Sequence, residues 1–141
     1  MEVHWVHSSC DIKPGPTLGS CLSDSCTNPV LKVETQVFLL VNDKKATSFM
    51  DYAYKAGGEF HQAKALPSRK GAVEFLGSTT GPSYDNQKCS PFKVNWSVTP
   101  QCATLDINSL HKWCEQNEFN EDHAHGVRKL VVNPKSLSPI E

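Results

Sequence analysis

The segment from Val33 to Val41 constrains the fold more than any other part of this sequence. Val33, Thr35, Val37, Leu39 and Val41 recur at a spacing of two and share one face of an extended strand, while Phe38 and Leu40 fall on the other. A strand that becomes apolar on both faces toward its end has to be covered from both sides, which places it inside a sheet. Alternation recurs at residues 2–7, at Val73 to Leu76, and at Phe92 to Val98, where Phe92, Val94, Trp96 and Val98 share a face. Pro100 ends that run, and Ala103 to Leu105 reads as a short return strand. Helical signals are few. Ala46 to Ala56 forms a short helix stopped by Gly57-Gly58, and a second helix, N-capped by Asp106 or Asn108, reaches about Gln116. Phe60 to Ala65 fits neither period, and the tail from Phe119 reads as loop with a short strand at Lys129 to Val132. The expectation is a mostly β domain spanning residues 1–141 with two small helices.

Residues 8–30 hold Pro14, Gly15, Pro16, Gly19, Asn28 and Pro29, the composition of a long loop. Cys10, Cys21 and Cys26 lie in it, and Cys89, Cys102 and Cys114 complete a set of six with no Cys-x-x-Cys among them. An even count favours disulfides and an oxidising compartment, hence a periplasmic or secreted protein with a stapled loop. The pairing stays open; Cys89 and Cys102 flank a strand and could sit at the open ends of neighbouring strands. The formal charge of −1 with no basic block argues against a nucleic-acid partner. The longest apolar run, Val37 to Val41, is far below membrane-spanning length. No signal peptide is legible, and Met1 runs straight into an alternating strand, which reads as a domain incomplete on its N-terminal side.

Three places could carry chemistry. In Glu2-Val3-His4-Trp5-Val6-His7, alternation points Glu2, His4 and Val6 one way and His7 the other. His4 could give a ring nitrogen to zinc at about 2.0–2.1 Å. Glu2, about 7 Å away along the face, would more naturally support a ligand on an adjacent strand. In Gly77-Ser78-Thr79-Thr80-Gly81-Pro82, a threonine hydroxyl could accept a proton from a metal-bound nucleophile and aim it. In Asp122-His123-Ala124-His125-Gly126, the His-x-His spacing suits a metal on a strand. Each has a plain alternative: hydrogen-bonded strand histidines, a polar turn, and surface histidines at a turn. His61 and His111 have no partner in sequence and read as structural.

Taken together, Glu2-Val3-His4-Trp5-Val6-His7, Val37-Phe38-Leu39-Leu40-Val41, Ser78-Thr79-Thr80-Gly81-Pro82 and Val94-Asn95-Trp96-Ser97-Val98 resemble carbonic anhydrases of the delta class, including its bacterial members. Pro14-Gly15-Pro16-Thr17-Leu18-Gly19 and Glu121-Asp122-His123-Ala124-His125-Gly126-Val127-Arg128 look like the same class, in which His123 and His125 have no assigned role. A fainter likeness to the alpha class implies a central mixed, largely antiparallel twisted sheet with short outer helices. It implies His4 as the third zinc histidine, Glu2 as a carboxylate behind the ligands, and Thr79 or Thr80 as the gatekeeping hydroxyl, with Thr79 preferred. Val6, Val37, Val94 and Trp96 take the place of the apolar wall where carbon dioxide rests. The resemblance also implies zinc as cofactor, its two other histidines on an upstream His-x-His strand, and carbon dioxide and bicarbonate as the small-molecule substrate pair. In the family a zinc-bound hydroxide attacks carbon dioxide. On this reading residues 1–141 alone are inactive. The competing readings are a non-catalytic β-rich relative that keeps the shape without the metal, and a self-contained metal binder using His4, His123 and His125.

Overall fold

The structure, a computed structural model, describes residues 1–13, 15, 18–52, 54–55, 62–63, 66–79, 87–88 and 90–117. Strands β1 (Glu2–Ser8), β2 (Leu31–Val41), β5 (Val73–Gly77) and β6 (Val94–Asp106) form one sheet in the order β1-β2-β6-β5. β1 pairs antiparallel with β2, β2 parallel with β6, and β6 antiparallel with β5. The sheet is therefore mixed, with antiparallel pairings in the majority, and β2 lies between β1 and β6. Its apolar end is not covered from both sides as expected: beyond Phe38 it pairs with β6 but not with β1, and Leu39 and Leu40 are exposed. A separate hairpin joins β3 (Tyr54–Lys55) to β4 (Gln62–Ala63). The one helix among the described residues, α1 (Ile107–Gln116), follows β6 directly. The Asp106 carboxylate accepts from the Asn108 backbone N–H at 3.2 Å, capping the first turn.

Two cores lie on opposite faces. On the His4 face, Leu31, Val33 and Val94 pack with Cys21 and Phe92 beneath the loop that follows β1. That loop is stapled by a Cys10–Cys26 disulfide. It is further tied down by Ser8, whose hydroxyl donates to the Cys21 carbonyl at 2.8 Å and accepts from the Cys10 N–H at 3.1 Å. Cys21, Cys102 and Cys114 are free thiols, so the expected stapling is present once among the described residues. On the Trp5 face, Phe38 and Leu105 pack with Phe49 against Trp5, Tyr52 and Trp113. Leu31, Val94 and Leu105 are fully buried.

Two further sequence expectations fail. The described part of Ala46 to Ala56 is not a helix: Thr47 forms a parallel bridge to Leu105, a single 3-10 turn spans Phe49–Tyr52, and β3 follows. The Thr47 N–H donates to the Thr104 carbonyl and its own carbonyl accepts from Asp106 at 3.0 Å, so its backbone groups are committed to β6. The Phe49 N–H donates to Ser109 Oγ at 2.8 Å, which anchors the turn to α1 instead of to a longer helix. Second, Pro100 does not end its strand. β6 runs through it to Asp106, and Ala103–Leu105 is its continuation. The β2–β6 register shifts between Gln36 and Phe38, opposite Thr99 and Ala103, so Pro100 sits in a bulge where no ladder N–H is needed. The Gln36 amide holds the bulge by donating to the Val37 and Gln101 carbonyls, each at 2.7 Å. Phe92 is buried but precedes the strand, which begins at Val94. The strand expected at 129–132 lies outside the described residues.

Candidate functional site

β1 lies at the edge of the sheet among the described residues. Met1 and Phe38 exchange both backbone hydrogen bonds at 2.7 Å, and the Ser9 N–H donates to the Val30 carbonyl. This phase turns the backbone groups of Val3, Trp5 and His7 toward β2 and those of Glu2, His4, Val6 and Ser8 toward the open edge.

The register sets the site. His4 lies opposite Thr35 and Val6 opposite Val33, and β6 places Trp96 beside Val33 and Val94 beside Leu31. Across β6, Phe75 pairs with Trp96 and Gly77 with Val94. Glu2, His4, Val6, Val37, Val94 and Trp96, chosen from sequence, therefore share one face. Within it, His4, Val6 and Trp96 are brought together, while Val37 lies at the Glu2 end, four positions along β2 from Val33. Thr79 is half-buried just beyond the end of β5. Thr80, His61, His123 and His125 lie outside the described residues.

The His4 ring has two fixed neighbours. Glu2 Oε1 stands 2.9 Å from His4 Nε2. Glu2, expected to serve an adjacent strand, here meets its own neighbour: its long side chain lies along the face and spans the two-residue gap. A carboxylate only accepts, so Nε2 carries the proton of this bond and Nδ1 is the nitrogen left for a further partner. A histidine fixed in one tautomer by a carboxylate is the usual form of a metal-ligating imidazole. The second neighbour is Trp96, edge-on to His4 with ring centroids 5.4 Å apart. The donor chemistry fits zinc at this one ligand. Among the described residues no group of three or more His, Cys, Asp and Glu side chains converges to complete a coordination shell.

Sequence reasoning missed Val33, Thr35 and Phe75, because their places beside Val6, His4 and Trp96 follow from strand pairing and not from any motif. Thr35 is 2% exposed, and its hydroxyl has no partner among the described residues. His7 is on the opposite face beside Lys32, as its alternation requires. Burial pushes its imidazole below the ordinary value, Glu34 pulls it up, and Lys32 adds to the lowering. On that face the buried Glu34 carboxylate meets Lys32 Nζ at 3.1 Å and Arg69 at 3.8 Å. His111 is exposed on α1 and pairs with Glu115 at 3.4 Å, a structural contact.

The family model described as Delta carbonic anhydrase matches residues 1–109, which span β1 through the start of α1. No curated protein and no solved structure matches the chain.

Proposed function

The chain belongs to the delta carbonic anhydrase family, and from that premise we propose that it serves the zinc-dependent, reversible hydration of carbon dioxide to bicarbonate. The observation that carries this reading is the Glu2–His4 pair, which leaves Nδ1 as a metal-ligand lone pair on the same face as Val6, Val33 and Trp96. Zinc, when bound, supplies a water whose pKa is lowered to about 7. The chain's own residues do the rest. Glu2 orients His4 and raises its basicity. Val6 and Trp96 offer an apolar surface that suits carbon dioxide and holds water away; Val94, expected in that wall, is fully buried with Val33 and only backs it. Thr79 is our choice for the hydroxyl that takes a proton and orients the nucleophile. Two further histidines are needed; we place them on a strand upstream of β1, paired along the edge of β1 that no described strand occupies, where alternate residues would fall on the His4 face. The disulfide agrees with a periplasmic or secreted setting.

The absence of a complete ligand group among the described residues also favours a second reading, a non-catalytic relative that keeps the fold. Zinc content and hydration rate decide between them, measured on residues 1–141 and on a chain extended upstream. The extended chain should hold about one zinc and turn over, and residues 1–141 should do neither. In the extended chain, Glu2→Gln should weaken zinc affinity about 10–100-fold, and His4→Ala should remove both zinc and activity. An extended chain that folds but stays free of zinc leaves the non-catalytic reading.

A further inference from the structure

We propose that Trp96 is a positioning residue that couples the ring of His4 to the Ser78–Thr79 segment, so that the metal ligand and the gatekeeping hydroxyl are held as one unit. Four independent contacts fix the indole. One edge meets the His4 ring at 5.4 Å and 79°. One face stacks on Phe75, its cross-strand partner, with centroids 6.4 Å apart and planes 13° from parallel. The indole Nε1–H donates to the Ser78 carbonyl at 3.2 Å, on the residue directly before Thr79. Finally, the ring lies over Gly77, where an added Cβ would stand 3.0 Å from both Cδ1 and Nε1. A side chain at Gly77 would have to displace the indole by a few tenths of an ångström.

The topology explains why one side chain can do this. β2 separates β1 from β6, and Thr35 and Val33 are its residues between the two rings; both are only 2% exposed. His4 and Trp96 close over them from either side. The same indole reaches the opposite way, past Gly77, to the loop that leaves β5. Trp is suited to the task because a rigid, two-torsion side chain with one donor contacts an apolar floor and a backbone carbonyl at once. The coupling also selects between the two threonines: Thr79 follows the tethered carbonyl immediately, and is the one whose hydroxyl position the indole controls. A catalytic pair held by a shared strut is worth rate, because displacement of either member by about 1 Å can cost roughly 100-fold.

The catalytic consequence rests on the hydration reading, whereas the mechanical coupling does not, and the test separates them. Backbone order parameters at Ser78 and Thr79 and the His4 side-chain rotamer are measured by NMR in the parent, Trp96→Phe and Trp96→Ala. Trp96→Phe keeps a ring for His4 and loses the donor: Ser78 and Thr79 should fall from about 0.85 to below about 0.6 while His4 keeps its rotamer. Trp96→Ala should free both. Gly77→Ala, which retains the tryptophan, should speed exchange of its indole N–H about fivefold by pushing it off the Ser78 carbonyl. In the zinc-loaded chain extended upstream, Trp96→Phe should lower kcat roughly tenfold with KM nearly unchanged, a split that simple loss of stability does not produce. Ser78 and Thr79 as ordered in Trp96→Phe as in the parent, or an unchanged indole exchange in Gly77→Ala, would overturn the coupling whatever the activity. If the order parameters fall as stated and no zinc-loaded form hydrates carbon dioxide, the coupling stands and the hydration reading is lost.

Discussion

The two faces of the sheet are built from the same strands and end in opposite conditions. On the Trp5 face, α1 and the turn at Phe49–Tyr52 close over Phe38 and Leu105 with a set of ring contacts, among them Phe49–Trp113 at 5.1 Å and Trp5–Tyr52 at 5.5 Å. On the His4 face, Val6 is 41% exposed, Phe75 51% and Val73 57%. The difference teaches a division of labour. A one-residue slip of β1 against β2 would carry Val3 and Trp5 out of the packed face, so burial there specifies the register strongly. The same register then sets His4, Val6 and Trp96 together on the face that is left open. One face supplies stability, and the other receives its geometry from it.

The strongest way to break this comparison is a matched pair of truncations. Phe38→Ala should cost about 3–5 kcal/mol, the range for emptying a buried aromatic site. Phe75→Ala should cost about 1 kcal/mol, since it gives up mainly a half-exposed stack. Urea midpoints at constant slope measure both. Equal losses would mean that the His4 face is as well covered in the folded protein as the Trp5 face, and the division of labour would fall.

A smaller effect sharpens the comparison within the His4 face. Among the described residues its buried apolar cluster lies under the stapled loop, where Leu31, Val33 and Val94 pack on Cys21 and Phe92. The Cys10–Cys26 bridge spans 16 positions, a loop size for which cross-linking is worth about 3 kcal/mol. Replacing both cysteines by serine should lower stability by about that amount. Amide exchange should speed up first at Leu31 and Val33, with α1 and the Phe38 end lagging. Uniform acceleration over the whole sheet would show that the two cores open as one unit.

How far the sequence could be read follows the same division. β1, β2 and the start of β6 were legible because alternation is a local signal, and the helix start was narrowed to a cap at Asp106 or Asn108, of which the structure takes Asp106. The passage of β6 through Pro100 was not, because it depends on the Gln36 side chain of a parallel neighbour. The helix expected over Ala46 to Ala56 failed for the same kind of reason, since the backbone of Thr47 is claimed by β6. At the site, alternation put Glu2, His4 and Val6 on one face of their strand and Val94 and Trp96 on one face of theirs; that the two faces coincide was implied only by the family resemblance. The bond from Glu2 to its own neighbour His4 was not legible, because side chains two apart on a strand face stand about 7 Å apart and only the side-chain conformations close that gap. The contact of His4 with Trp96 needs the order β1-β2-β6, which no single strand encodes.

The smallest expected effect concerns His7, which leaves β1 on the face opposite His4. Burial lowers its pKa, with Lys32 adding to the lowering and Glu34 opposing it. The unfolded chain takes up the proton near pH 6.5, whereas the folded protein takes it up only at lower pH. Above about pH 6.5 both forms are neutral and the contribution of His7 to stability is complete. As pH falls through that value toward the lower folded pKa, the unfolded chain is protonated first and stability declines; once both forms are charged the decline stops. His7 is exposed on its surface side, so water screens much of the effect. Urea unfolding between about pH 7 and pH 5 should therefore show a shallow loss that His7→Gln removes. A gain in stability on acidification, abolished by the same substitution, would show instead that Glu34 outweighs burial. His7 would then belong with Lys32 and Arg69 to the charged cluster around that carboxylate, and the Trp5 face would carry an ionic seam as well as its aromatic core.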